Sequence, residues 1–229
     1  YLVGTRRISP DGRVYRYARA TNVIADTKFG LKFWAEIGDG IASTHPLQTQ
    51  IIDARSIKVA GAGIAENELV GGYVMIHTGT DYYQHFRGIV GNSLADAQGH
   101  VTINLDGPLK VAIKETYEVE VYPNPYASVR VASAGAPGCG APDEYSSVAG
   151  MPNVKTTVEN QYLWIQTWGA IWVNPHGTAG LTPTADRRGL VFDREGSISA
   201  VDESVSKDAT QQYAGFIINR ESVANGAGP

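Results

Sequence analysis

With 229 residues and 43% hydrophobic content, the chain carries enough apolar side chains for a packed core, which excludes disorder throughout. A net charge of −4 argues against general attraction to nucleic acid or anionic membranes, no apolar run reaches the ~18 residues that span a bilayer, and a single cysteine, Cys139, excludes an intrachain disulfide and any multi-cysteine metal site. The 26 glycines, 11 prolines and 12 tyrosines point to short strands joined by many turns.

The first element in chain order is a hairpin. Residues 4 to 20, GTRRISPDGRVYRYARA, place alternating runs around Ser9-Pro10-Asp11-Gly12. Proline presets φ for a turn and glycine accepts positive φ, so the flanks are pushed into paired strands. In the second strand Arg13, Tyr15, Tyr17 and Arg19 share one face, while Val14, Arg16 and Ala18 share the other. Neither face is a plain core face, so the hairpin reads as a surface element that packs against something else. Residues 1 to 20 hold five arginines and one aspartate, a balance of +4 that leaves −8 on the remainder. Arg6, Arg7, Arg13, Arg16 and Arg19 are therefore candidates either for a solvated strand face or for a basic arm that grips an acidic neighbour through guanidinium–carboxylate forks.

Residues 21 to 50 mix apolar positions, Trp34 among them, with Gly30, Gly38 and Gly40, which permits a short helix but not a long one. Residues 1 to 50 are thus expected to form the hairpin and a linking arm. From 51 to 122 five extended runs follow at intervals of about ten residues: IIDARSIKVA, ELVGGYVMIHT, YYQHFRGIVGNS, HVTINLD and LKVAIKETYEVEVY. Such spacing belongs to an all-β barrel or sandwich, placed here at 51 to 200. Residues 123 to 150 form the least regular stretch and read as a partner-contacting loop. In QYLWIQTWGAIWVN, residues 161 to 174, Tyr162, Trp164, Gln166, Trp168 and Trp172 alternate with Leu163, Ile165, Thr167, Ile171 and Val173. A strand apolar on both faces is expected to be buried on both, the aliphatic face against the core. The aromatic face fits further core, a contact between subunits or a sugar-stacking platform. Residues 201 to 229 are expected to be a tail, Gly-rich at its end.

Catalytic signatures are missing. His45, His77, His85, His100 and His176 lack zinc spacings, and no nucleophile elbow or phosphate-cradling loop occurs. The pairs Asp143-Glu144 and Asp202-Glu203 do not make a glycosidase dyad, because sequence neighbours on a strand point apart. Neither an enzyme nor a cofactor is expected, although a hydrolase with dispersed residues stays open, since triads are defined by geometry.

The hairpin GTRRISPDGRVYRYARA, followed by GYVMIHTGTDYYQHFRGIVGNS, VTINLDGPLKVAI, YPNPY and QYLWIQTWG, resembles virion structural proteins of tailed bacteriophages, closest to the decoration, cement or head-fibre proteins of the capsid exterior. The resemblance runs through residues 1 to 175 in motif order. It implies a protein made in the host cytoplasm and carried on the outer capsid surface, with the major capsid protein and its own copies, as a homotrimer, for partners. Neither nucleic acid nor membrane is an expected partner. Candidate interface residues are Arg6, Arg7, Arg13, Tyr15, Arg16, Tyr17, Arg19, Trp34, Trp164, Trp168 and Trp172. The alternative is a carbohydrate- or receptor-binding module of a virion fibre.

Overall fold

A computed structural model of the chain describes residues 1–27, 29–33, 40–77, 85–131, 147–173, 189–192, 196–200 and 212–218. Among these the structure is all-β, with no α-helix, a closed five-stranded barrel and a curled sheet. The chain divides into two compact units. One comprises Trp34–Val129 with Tyr1–Thr5 and Tyr17–Arg19; the other comprises Arg6–Arg16, Ala20–Phe33 and Arg130–Pro229.

The early strands are β1 (Arg6–Ile8), β2 (Val14–Ala20), β3 (Leu31–Phe33) and β4 (Ile41–Thr44), followed by β5 (Ser56–Ala60), β6 (Tyr73–His77), β7 (His85–Asn92), β8 (His100–Leu105) and β9 (Glu118–Tyr122). The five runs read between 51 and 122 are these last five strands, trimmed at their ends. They pair antiparallel in the order β4-β9-β6-β7-β8-β5. The sheet curls until Pro46, just past β4, bridges to Val59 of β5. Strict alternation drives the curl: Val74, Ile76, Val101, Ile103, Val119 and Val121 are fully buried while their neighbours in sequence face outward. Each such side chain stabilises the unit by roughly 1.5–3 kcal/mol relative to exposure.

Later strands are β10 (Val129–Val131), β11 (Val148–Pro152), β12 (Gln161–Trp168), β13 (Gly189–Phe192), β14 (Ile198–Ala200) and β15 (Tyr213–Phe216). The barrel runs β2-β10-β3-β11-β12 and closes by pairing β12 with β2, while β1 extends it as a hairpin partner of β2. Ala20, Leu31, Ala149, Met151, Leu163 and Ile165 are buried in it. A three-stranded sheet, β14-β13-β15, completes this unit. There the Gln212 amide donates to the Val148 carbonyl (3.1 Å) and accepts from its N–H (2.6 Å).

Three sequence expectations need revision. Residues 1 to 50 contribute β2 and β3 to the barrel and β4 to the curled sheet, where a hairpin with a linking arm was expected. The stretch 123 to 150 is not irregular throughout: a 3-10 turn at Pro125–Ala127, β10 and the start of β11 occupy its two ends, and residues 132 to 146 lie outside the described residues. Within the expected tail, Tyr213–Phe216 is a strand paired with β13; its last residues, 219 to 229, lie outside the described residues. In all three cases the strands concerned pair with partners distant in sequence, and those partners are not specified by the local sequence, even where, as in β2, the strand itself is.

Candidate binding surface

The hairpin turn forms as its residues dictate. Gly12 adopts φ 84°, its N–H donates to the Ser9 carbonyl (2.9 Å), and the Ser9 N–H donates to the Arg13 carbonyl (2.9 Å). The Ser9 hydroxyl, the Arg13 N–H and the Arg13 Nε (2.6 Å) all donate to the Asp11 carboxylate. These bonds, the Ser9 hydroxyl foremost, hold the Asp11 carboxyl below its ordinary pKa. Beyond the turn the register sets Arg6 opposite Arg16, Arg7 opposite Tyr15 and Ile8 opposite Val14.

The basic arm is only partly free. Arg6, Arg7 and Ile8 are exposed. Arg13 is tied to Asp11 and lies 5.8 Å from the Tyr15 ring centre. Arg16, Tyr15 and Tyr17 are half-buried because β2 is a wall strand of the barrel. Tyr17 meets the Tyr1 ring at 5.6 Å, and the Arg19 Nε donates to the Ala127 carbonyl at 2.8 Å. Arg19 is therefore a cross-link inside the molecule. The free basic surface is β1.

The expectation that β12 is buried on both faces does not hold. Leu163 and Ile165 are buried, as the aliphatic face requires, but Tyr162 is 53%, Trp168 73% and Trp172 67% exposed, with Trp164 half-buried. A single-layer barrel wall has only one inner face, so Tyr162, Trp164 and Trp168 point outward, whereas Gln166, on the same alternation, is covered where the chain turns back at Gly169 and Ala170. The end of the strand is held by Gln166, whose buried side chain donates to the carbonyls of Gly169 (3.2 Å) and Ala170 (3.0 Å). The Thr167 hydroxyl donates to the Val14 carbonyl (3.3 Å), and Gly169 (φ 96°) lies so close to Arg13 that a Cβ there would sit 2.9 Å from its Cγ. Trp168 thus leaves the barrel beside Arg13. Trp34 lies outside the described residues.

Sequence reasoning missed a second outward aromatic group, on the curled sheet: Tyr73 and Phe86 stack at 5.0 Å with 17° between planes, and both are exposed. Its signal was present, because alternation in YVMIH sets Tyr73 and Met75 opposite Val74 and Ile76. It also missed Asn124, which anchors loops rather than a ligand. Exposed indoles beside guanidiniums are suited to gripping a flat, acidic partner surface: large rigid rings supply area at little entropic cost, and arginine supplies oriented donors. No family model, curated protein or solved structure matches this chain.

Proposed function

We propose that this chain is a structural assembly protein which adheres to the outside of a viral shell, with the major capsid protein and further copies of itself, as a homotrimer, for partners. The observation that carries the reading is the exposure of Trp168 at the end of β12, where the following Gly169 lies against Arg13 of the hairpin, and of Trp172 just beyond the strand. Rings of this size on a soluble surface are costly to leave in water and contribute strongly once a partner covers them. The resemblance of the motif series to capsid-decorating proteins supplies the identity of that partner.

The test is co-sedimentation of the purified chain with intact shells. Wild-type protein is expected to saturate the shells at fixed stoichiometry, and Trp168→Ala with Trp172→Ala is expected to weaken binding at least about tenfold, since each buried interface tryptophan is worth about 2 kcal/mol or more. Failure of the wild-type chain to bind shells would remove the reading. Retention on immobilised glycans without affinity for shells would favour the carbohydrate-binding alternative, which uses the same exposed rings.

A further inference from the structure

The curled sheet carries an acidic face around its aromatic stack. On the outward side of β6, β7 and β9, Met75 pairs across the strands with Phe86 and with Glu120, Tyr73 pairs with Tyr122, and His77 pairs with Glu118. The Glu118 carboxylate lies 3.4 Å from the His77 Nε2, and the Glu120 carboxylate accepts from the Tyr122 hydroxyl and lies 3.9 Å from the same His77 nitrogen. The Asp106 carboxylate lies against Gly88 on this same side, where a Cβ would sit 2.8 Å from its Oδ2. Carboxylates therefore run along this face, with Asp106 beside Gly88 opposite Tyr73, Glu120 opposite Met75 and Glu118 opposite His77. The nearest arginine, Arg87, directs its guanidinium to the carbonyls of Pro108 and Phe86.

Strand β1 has the complementary character. Arg6, Arg7 and Ile8 are all exposed, and Ile8 is an apolar residue set between the two guanidiniums and the hairpin turn. Among the described residues neither Arg6 nor Arg7 forms an ion pair. Guanidiniums also bind aromatic faces, so a Tyr–Phe stack edged by carboxylates offers them both kinds of contact.

We propose that β1 of one copy of this chain docks on the Tyr73–Phe86 face of a second copy, with Arg6 meeting Glu118 and Glu120 and Ile8, on the same face of β1, meeting the rings. This names the acidic neighbour of the hairpin and rests on the self-assembly in the reading above. The contact is heterologous, since it joins two different patches, so each copy retains a free donor and a free acceptor until a ring closes. The charge distribution fits, because residues 1 to 20 carry +4 and the remainder −8. Opposite patches on one chain attract copies to one another at low salt.

The experiment is sedimentation velocity on the full chain with reversed charges. Wild-type protein is expected to associate, more weakly as salt rises. Arg6→Glu with Ile8→Glu, and separately Glu118→Lys with Glu120→Lys, are each expected to weaken association by about tenfold or more, whereas Arg7→Glu, on the other face of β1, is expected to have a smaller effect. The four changes together, or an equimolar mixture of the two double variants, are expected to restore it, because either arrangement sets opposite charges together again. Restoration also shows that the double variants are folded, with circular dichroism as the independent check. A wild-type chain that stays monomeric at all concentrations, or double variants that associate normally, or a loss that neither the combined variant nor the mixture restores, would overturn the contact. Shells coated by monomers would sink this contact while leaving the decorating role standing; association without shell binding would do the reverse.

Discussion

Asn124 shows how much one polar side chain can hold. It is buried, its Nδ2 donates to the Val3 carbonyl (2.8 Å) and, at 3.4 Å, to the Val70 carbonyl, and its Oδ1 accepts from the Tyr126 N–H (3.0 Å), capping the turn at Pro125–Ala127. Gly71, at φ 78°, brings its backbone so near that a Cβ would lie 2.5 Å from that Nδ2. Replacing Asn124 by Ala leaves buried backbone groups without partners, and about 1–3 kcal/mol of stability should be lost. Asn124→Asp should cost more, because a carboxylate oxygen would then face the Val3 carbonyl. Chemical denaturation of the three proteins tests the order; an alanine variant as stable as wild type would show that water replaces the amide without loss.

At the level of the strand, β12 serves two surroundings at once. Its inward Leu163 and Ile165 are barrel core, while Trp168, with Trp172 just beyond the strand, faces solvent. Acrylamide should therefore quench the fluorescence of Trp168 and Trp172, and Trp168→Phe with Trp172→Phe should reduce the quenchable component. Unchanged quenching would mean that these indoles are covered. Gly169→Ala should destabilise the unit by about 1–3 kcal/mol, since φ 96° is unfavourable for a residue with a Cβ and that atom would collide with Arg13. On the assembly role proposed above, the same change should also weaken shell binding, because it displaces Arg13 from beside Gly169.

Across the molecule, His85 and Asp96 are among the described groups that make stability sensitive to acid. His85 is buried on β7, and its pKa is lowered, first by burial and then by the Arg87 charge. The folded chain thus favours the neutral imidazole, so this stabilisation is complete above the unfolded value near 6.5 and is lost as pH falls through the lower folded value. Asp96 accepts from the N–H groups of His100 (2.8 Å) and Gln98 (3.0 Å) and pairs with Lys58 (3.0 Å), which lowers its pKa to about 2. Its contribution is present above the unfolded carboxyl value of 3.8 and disappears as pH falls towards about 2. Thermal melts should show a first decline below pH 6.5 that His85→Gln reduces and a second, below pH 4, that Asp96→Asn reduces, with Asp11 contributing to the remainder. A flat profile between pH 8 and 5 in the wild type would contradict the role given to His85.

The all-β class, the hairpin at Ser9–Gly12 and the five strands between 51 and 122 were legible in the sequence, because turn chemistry and period-two alternation act over a few residues. The alternation of Trp164 and Trp168 with Ile165 was legible in the same way. Which of those two faces would be covered was not: that depends on β12 closing a barrel against β2, whose residues lie some hundred and fifty positions earlier. Nor could the arginines be sorted in advance, since Arg19 is drawn inward by the carbonyl of Ala127 while Arg6 and Arg7 stay outside. Local sequence determines whether a segment is extended and which side chains share a face; only the closure of distant strands decides which face meets water, because burial is a property of the assembled sheet.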